Sequence, residues 1–238
     1  MIFKTWYDLF KTAFNRTKSQ NLTMSLSRQI FNVIKNNFKK DTGTTLKVDN
    51  RCNLFLRIEY VGNRDLYGKN FFVNAFGNYS KGKLIQTLPA IHFDVSFNNK
   101  FSALDFPKLH YKLYDAVRHE LWHYWQYLDP NYVLTDNEAP IYNGDTISDY
   151  TELRNHIVSE QEIVSYISGL VFSAQKQRKP FSVVLNESLD DLFFENNIST
   201  KQKVLSSAIG REAETIISNI KNTVISRAQQ LYPDTRLT

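Results

Sequence analysis

Apolar residues recur every three or four positions in several stretches of the chain, which is the spacing of one face of an α-helix. Two such stretches open the chain, at residues 2–15 and 24–39, before residues 41–44 interrupt the pattern. The apolar positions are Ile2, Phe3, Trp6, Phe10 and Phe14 in the first stretch, and Leu26, Ile30, Phe31, Ile34 and Phe38 in the second. We therefore predict two amphipathic helices at the start of the chain.

A different pattern follows, in which three stretches rich in β-branched and aromatic residues are separated by short turns with glycine and asparagine. These stretches cover residues 53–61, 70–76 and 84–97. Near the end of the last stretch, Ile91, Phe93 and Val95 alternate with polar residues. This alternation is typical of a strand with one buried face, and we predict three strands in one small sheet.

Helical spacing returns at residues 106–128, where Pro107 fits a first helical turn and Asp129-Pro130 ends the helix. A polar loop is predicted over residues 129–148 and a long helix over 148–177. A short helix at 189–196 and a final one at 200–231 follow. Because the strands precede these helices without β-α-β alternation, we expect an α+β fold with a small, twisted, mainly antiparallel sheet.

Composition points to a packed globular protein. The chain has 238 residues, of which 42% are hydrophobic and 14% aromatic, so the disordered class is excluded as a whole. The single cysteine, Cys52, cannot form an internal disulfide. No apolar run reaches the length of a membrane span, and Lys4, Asp8 and Lys11 interrupt the first stretch, unlike a signal peptide. We therefore expect a cytoplasmic location.

Positive charge is concentrated at the start of the chain. Residues 1–40 contain eight Lys or Arg and one Asp, a net charge of +7; with +5 overall, the remaining residues sum to −2. We therefore divide the chain into a basic helical arm, residues 1–42, and a near-neutral body, residues 43–238. The arm could dock on nucleic acid, an anionic surface or a partner protein. Alternatively, its apolar faces pack on the body and its lysines are simply solvated.

The strongest chemical signal is the sequence His119-Glu120-Leu121-Trp122-His123. On a helix, residues four apart lie on one face, so the two imidazoles can converge on one metal ion. Zn²⁺ suits such a site because it accepts neutral imidazole nitrogens. Glu120 is then placed to take a proton from a metal-activated water. The alternative is that both histidines belong to an ordinary amphipathic helix.

A third ligand is needed, because catalytic zinc sites usually have three protein ligands and one open position. Glu162, Glu160 and Asp129 are the candidates. Asp129 falls at a spacing where one group of zinc peptidases uses aspartate, but Gln126 stands where that group needs glycine for a sharp turn.

The segment Ser159 to Tyr166 resembles the gluzincins, the thermolysin-like zinc peptidases, in which a second helix supplies a glutamate followed three residues later by a small residue. Glu162 with Ser165 fits this pattern, whereas Glu160 is followed at that offset by bulky Ile163. The stretches HELWHYWQ and EQEIVSYI are also similar to small metallopeptidase domains of phage and bacterial genomes. Many gluzincins have an aspartate where this chain has Tyr166, so no partner behind the histidines is assigned.

The resemblance implies a zincin-like fold, a Zn²⁺ cofactor held by His119, His123 and Glu162, and hydrolysis of polypeptides with Glu120 as the general base. It also implies that the strand ending near Phe97 is an edge strand that pairs with an extended peptide. An oxyanion donor is required as well, and the candidates near the second ligand helix are His156, Tyr150 and Tyr166.

A function of another class is also consistent with the sequence. The protein could be a binding or virion-structural protein whose metal only stabilises the fold. This hypothesis predicts that chelation lowers thermal stability while Glu120→Gln changes no activity.

Overall fold

A computed structural model describes residues 16–66, 68–78, 89–128, 151, 154–159, 162–195 and 208–233. The chain divides into two units, Met1–Pro130 and Asn131–Thr238. The elements of the first unit are α1 (Arg16–Asn37), β1 (Thr42–Lys47), β2 (Asn53–Gly62), β3 (Phe71–Asn78), β4 (Ala90–Asn98), a short 3-10 helix (Ala103–Asp105) and α2 (Phe106–Leu128). Those of the second are α3 (Glu162–Gln177), α4 (Phe181–Glu195) and α5 (Ala208–Leu231). The predicted α+β class is confirmed.

The four strands form one mixed sheet in the order β1-β2-β4-β3. β1 is antiparallel to β2, β2 is parallel to β4, and β3 is antiparallel to β4. The sequence analysis missed β1, which it treated as a break at residues 41–44. β1 is a threonine-rich strand at the sheet border with alternating partial exposure, so it lacks the apolar periodicity that marked the other strands.

β4 has the predicted alternation, with Ile91, Phe93, Val95 and Phe97 all buried. It lies between β2 and β3 in the sheet, so the expectation that this strand forms an edge is wrong. The alternation of apolar and polar residues indicates that one face of the strand is buried. It does not indicate whether the strand pairs with a neighbour on both sides. The outer strand on this side is β3, which packs against α2.

The helix predicted over residues 106–128 is confirmed as α2, Phe106–Leu128. Its start is set by a capping box in the preceding 3-10 helix. Ser102 Oγ accepts from the Leu104 N–H at 3.3 Å, and the Asp105 carboxylate accepts from the Ser102 N–H at 2.9 Å. These bonds use backbone donors that a helix start would otherwise leave without partners.

The second predicted N-terminal helix is α1, which begins earlier than expected, at Arg16. Its apolar stripe is buried, with Leu26, Ile30 and Ile34 at 1% exposure or less, and it packs on α2. For this helix, the structure favours packing over docking of the apolar face on a partner. The first predicted helix falls on residues 1–15, outside the described residues.

A cluster of phenylalanines joins α1, the sheet and the start of α2. The Phe38 ring lies 6.3 Å from Phe97, 5.3 Å from Phe101 and 5.6 Å from Phe106, each in an edge-to-face arrangement. Such pairs add to the free energy gained from apolar burial. The cluster therefore fixes the N-terminal end of α2 against the sheet.

The other end of α2 is tied to the β1–β2 connection. Tyr124 donates from its hydroxyl to Asp49 Oδ2 at 2.8 Å, while Asp49 Oδ1 accepts from the N–H groups of Arg51 and Cys52 at 2.7 and 3.0 Å. Burial, together with the Asp49 charge, raises the pKa of the Cys52 thiol to about 12. Cys52 is therefore a neutral packing residue rather than a nucleophile.

In the second unit, the single long helix predicted over residues 148–177 is wrong. A helical segment ends at Ile157, and a new helix starts after a turn at Val158 and Ser159. Ser159 caps the new helix: its Oγ accepts from the Glu162 N–H at 3.3 Å, and its carbonyl accepts from the Ile163 N–H at 2.9 Å. The sequence analysis missed this break because the apolar residues keep their helical spacing on both sides of it. A serine cap ends the helical backbone geometry without changing that spacing.

α3 ends at Gln177 as predicted, because Arg178 adopts a left-handed conformation with φ of 54°. The Lys179 N–H donates to the Ala174 carbonyl at 3.1 Å, which closes the helix end in a Schellman arrangement. α4 starts at Phe181, earlier than the predicted residue 189. The Pro180 carbonyl accepts from the Val184 N–H at 3.3 Å, so this proline directly precedes the helix and opens it. α5 ends at Leu231 as predicted, and none of the described helices is long and apolar enough to cross a membrane.

Candidate metal centre

α2 brings the two histidines of the motif together. The Nε2 atoms of His119 and His123 lie 3.0 Å apart, and the ring centroids are separated by 4.7 Å. Both residues are half-buried, while Leu113, Val117 and Leu121 on the same helix are fully buried. The helix is thus anchored by one face and presents the two imidazole nitrogens at a partly accessible position.

This spacing fits a shared metal ion. Two nitrogens bound to zinc at about 2.0–2.1 Å, with a tetrahedral angle between them, lie roughly 3.3 Å apart. The observed 3.0 Å between the Nε2 atoms of His119 and His123 is close to that value. Both rings present the same nitrogen, so their lone pairs can point to one position when each imidazole is neutral.

A carboxylate belongs to the same candidate group. Among the residues that the structure describes, His119, His123 and Glu162 each offer one ligand atom, and these atoms all lie within 4.8 Å of one another. A His-His-Glu group of this kind could hold a metal ion. The two alternative third ligands, Glu160 and Asp129, lie outside the described residues.

Glu162 is positioned by the capped start of α3. It is the third residue after the capping Ser159, and Ser165 donates from its hydroxyl to the Glu162 carbonyl at 2.7 Å. Ser165 is fully buried, so a larger side chain there would have to displace its neighbours. A carboxylate in a first helical turn is favourable by itself because of the helix dipole. What makes Glu162 a candidate ligand is that it belongs to the same group as the two histidines.

Glu120 is the buried acid of the site. Its side chain is about 6% exposed, and Oε1 lies 4.0 Å from His119 Nε2. A carboxylate at this distance is close enough to contact a small molecule held next to the imidazoles. Because it follows His119 directly on the helix, its side chain leaves the helix in a different direction from those of the two histidines.

The sequence analysis assigned no role to Gln126, which it noted as a mismatch to a rival motif and included as the last residue of the stretch HELWHYWQ. Gln126 is 5% exposed, and its Oε1 lies 3.0 Å from Nδ1 of His123. The signal was available in the spacing, since a residue three positions after the second histidine lies on the same helix face.

The oxyanion candidates are accounted for in part. The Tyr166 hydroxyl donates to Ser188 Oγ at 3.2 Å, a buried bond that joins α3 to α4 and explains Tyr166 as a packing residue. His156 is half-buried in the short helical segment before Ser159. Tyr150 lies outside the described residues.

No protein-family model, no curated protein and no solved structure matches this chain. The resemblance to the gluzincins therefore depends on the motif residues alone. In addition, His119, His123 and Glu162 form a candidate metal-binding group in the described part of the chain.

Proposed function

We propose that this protein is a zinc-dependent peptidase. The observation that carries the proposal is the grouping of one ligand atom each from His119, His123 and Glu162 within 4.8 Å, with the Glu120 carboxylate beside them. Two histidines and a glutamate form a typical catalytic zinc set, which leaves one coordination position for water or substrate.

The chemistry follows from these groups. When bound, zinc supplies a Lewis acid that lowers the pKa of water to about 7 and polarises a carbonyl group. Glu120 accepts a proton on a carboxylate oxygen as the water oxygen attacks the carbonyl carbon. Glu120 then donates that proton to the amine nitrogen as the carbon–nitrogen bond breaks. The products are a carboxylic acid and an amine, and Glu120 returns to its starting state.

The polypeptide substrate is proposed to lie along β3 rather than β4. β4 has a strand on each side, whereas β3 is the outer strand of the described sheet and packs against α2, which carries the histidines. An extended peptide can add to an outer strand by backbone hydrogen bonds. A peptide added there would lie along the strand that packs against the helix carrying Glu120.

Glu120→Gln tests the proposal on an unstructured polypeptide substrate. The variant keeps the size of the side chain but loses the base, so turnover should fall by about 10²- to 10⁴-fold with zinc content unchanged. Glu187→Gln is the matched control, since Glu187 is exposed and pairs with Lys179 at 2.8 Å. The control should retain full activity.

Equal turnover in Glu120→Gln and the wild type would contradict the proposed role of Glu120. A wild type that binds zinc, loses thermal stability on chelation and cleaves nothing would instead support a metal-stabilised binding or virion-structural protein.

A further inference from the structure

The second histidine of the motif is held from behind by a buried amide. His123 Nδ1 and Gln126 Oε1 lie 3.0 Å apart, and Gln126 is 5% exposed. An amide oxygen can only accept a hydrogen bond, so this contact is a hydrogen bond when Nδ1 carries the proton of the neutral ring. In that tautomer the Nε2 atom of His123 carries a lone pair and no proton, and this is the atom that faces Nε2 of His119 at 3.0 Å.

The tautomer matters because only a deprotonated ring nitrogen can bind a metal ion. In zinc proteins, the ligating histidine usually donates its other N–H to an acceptor, which fixes the ring orientation. The gluzincin pattern supplies an aspartate after the small residue of the second helix, but Tyr166 occupies that position here. Another acceptor is therefore needed, and Gln126 has the right atom at the right distance.

We propose that Gln126 is the positioning residue of this site, which holds His123 in its metal-binding tautomer and orientation. This inference rests on the proposed metal site. Gln126 and His123 are three residues apart on the same helix, α2, so their bond does not depend on how other elements pack. A glutamine accepts the bond without adding a negative charge beside the metal, unlike the aspartate of the resembled pattern.

Two substitutions separate the hydrogen bond from packing. Gln126→Met preserves length and removes the acceptor, whereas Gln126→Glu preserves the acceptor. Zinc affinity, measured by chelator competition, should fall about 10- to 100-fold in Gln126→Met and stay within a few-fold of the wild type in Gln126→Glu. Gln177→Met is the control, because Gln177 also makes a bond within its helix, to Ser173 at 2.9 Å. That variant should bind zinc as the wild type does.

A direct readout is the tautomer of His123, obtained from ¹⁵N NMR of the metal-free protein. We expect the proton on Nδ1 in the wild type and in Gln126→Glu, and a mixture of tautomers in Gln126→Met. A proton on Nε2 in the metal-free wild type would overturn the inference. So would equal losses of zinc affinity in Gln126→Met and Gln126→Glu.

These outcomes separate the inference from the proposed function. A wild type that binds zinc, with unchanged affinity in Gln126→Met, would remove the role of Gln126 and leave the metal site in place. A wild type that binds no zinc would remove the site itself and with it the role of Gln126.

Discussion

His110 is a histidine that the fold keeps neutral. Its ring stacks on Phe31 of α1 with 4.5 Å between centroids and on Tyr114 of α2 with 4.6 Å. Its Nε2 atom is buried and has no hydrogen-bond partner in the described part of the chain. Burial lowers the pKa of His110 below its usual 6.5, and the positive charge of Arg28 lowers it further. Protonation would place a cation at the contact between two helices.

This environment predicts a pH-dependent stability. Because the pKa of His110 is lower in the folded state than in the unfolded state, the stabilisation by neutral His110 is fully present above about pH 6.5. It is lost as the pH falls from there through the folded-state pKa. His110→Phe, which can still stack on Phe31 and Tyr114, should weaken this acid destabilisation. The free energy of unfolding of both proteins, measured with a chelator between pH 4 and 8, gives the comparison. Parallel curves for the two proteins would contradict the prediction.

At the level of single residues, the sequence was sufficient to predict that the rings of His119 and His123 lie together, because both residues belong to one face of α2. It was not sufficient to predict the lowered pKa of His110 or the contact between Gln126 and His123. The lowered pKa of His110 depends on its burial and on the charge of Arg28, which belongs to another helix. The position of Gln126 on the helix could be predicted, but the contact of its amide with the His123 ring could be recognised only in the structure.

Among the elements, α2 could be predicted to its first and last residues because a sustained helical period, a proline near the start and Asp129-Pro130 at the end agree. β1 could not, since a short strand with little apolar content is recognisable only when its partner β2 is known. The start of α3 was missed because Ser159 was read as an interior residue of a longer helix, although it is the cap. The pattern of apolar residues was therefore insufficient where strand pairing or a helix cap determines where an element begins.

The bond between Tyr124 and Asp49 gives a test at this scale. Tyr124→Phe removes the donor and leaves Asp49 Oδ2 without it, so the free energy of unfolding should fall by about 1–3 kcal/mol. Tyr60→Phe is the control, because Tyr60 is 37% exposed and surface substitutions usually change stability by less than about 0.5 kcal/mol. Denaturant unfolding of both variants measures the difference. Equal effects of the two substitutions would show that the bond does not stabilise the end of α2.

For the whole molecule, the sequence indicated the α+β class, which the structure confirms, and a glutamate ligand from a second helix, for which Glu162 is the residue grouped with the two histidines. What the sequence could not supply is the tertiary arrangement. No spacing rule relates a residue on α2 to one on α3, so Glu162 was preferred to Glu160 through the resemblance to the gluzincins. It was preferred to Asp129 because Gln126 stands where a glycine is needed. The order of strands in the sheet could not be predicted either, because the sequence analysis placed β4 at the edge where the structure has β3.

Zinc content of purified variants is the most direct test of the proposed centre. Elemental analysis after extensive buffer exchange should find about one zinc ion per wild-type chain, as expected for a mononuclear site. Glu162→Ala should lose most of the zinc, while Glu160→Ala and Asp129→Ala should keep it. Full zinc content in Glu162→Ala, with loss in Glu160→Ala or Asp129→Ala, would contradict the assignment of the third ligand. A wild type without zinc would contradict the centre as a whole.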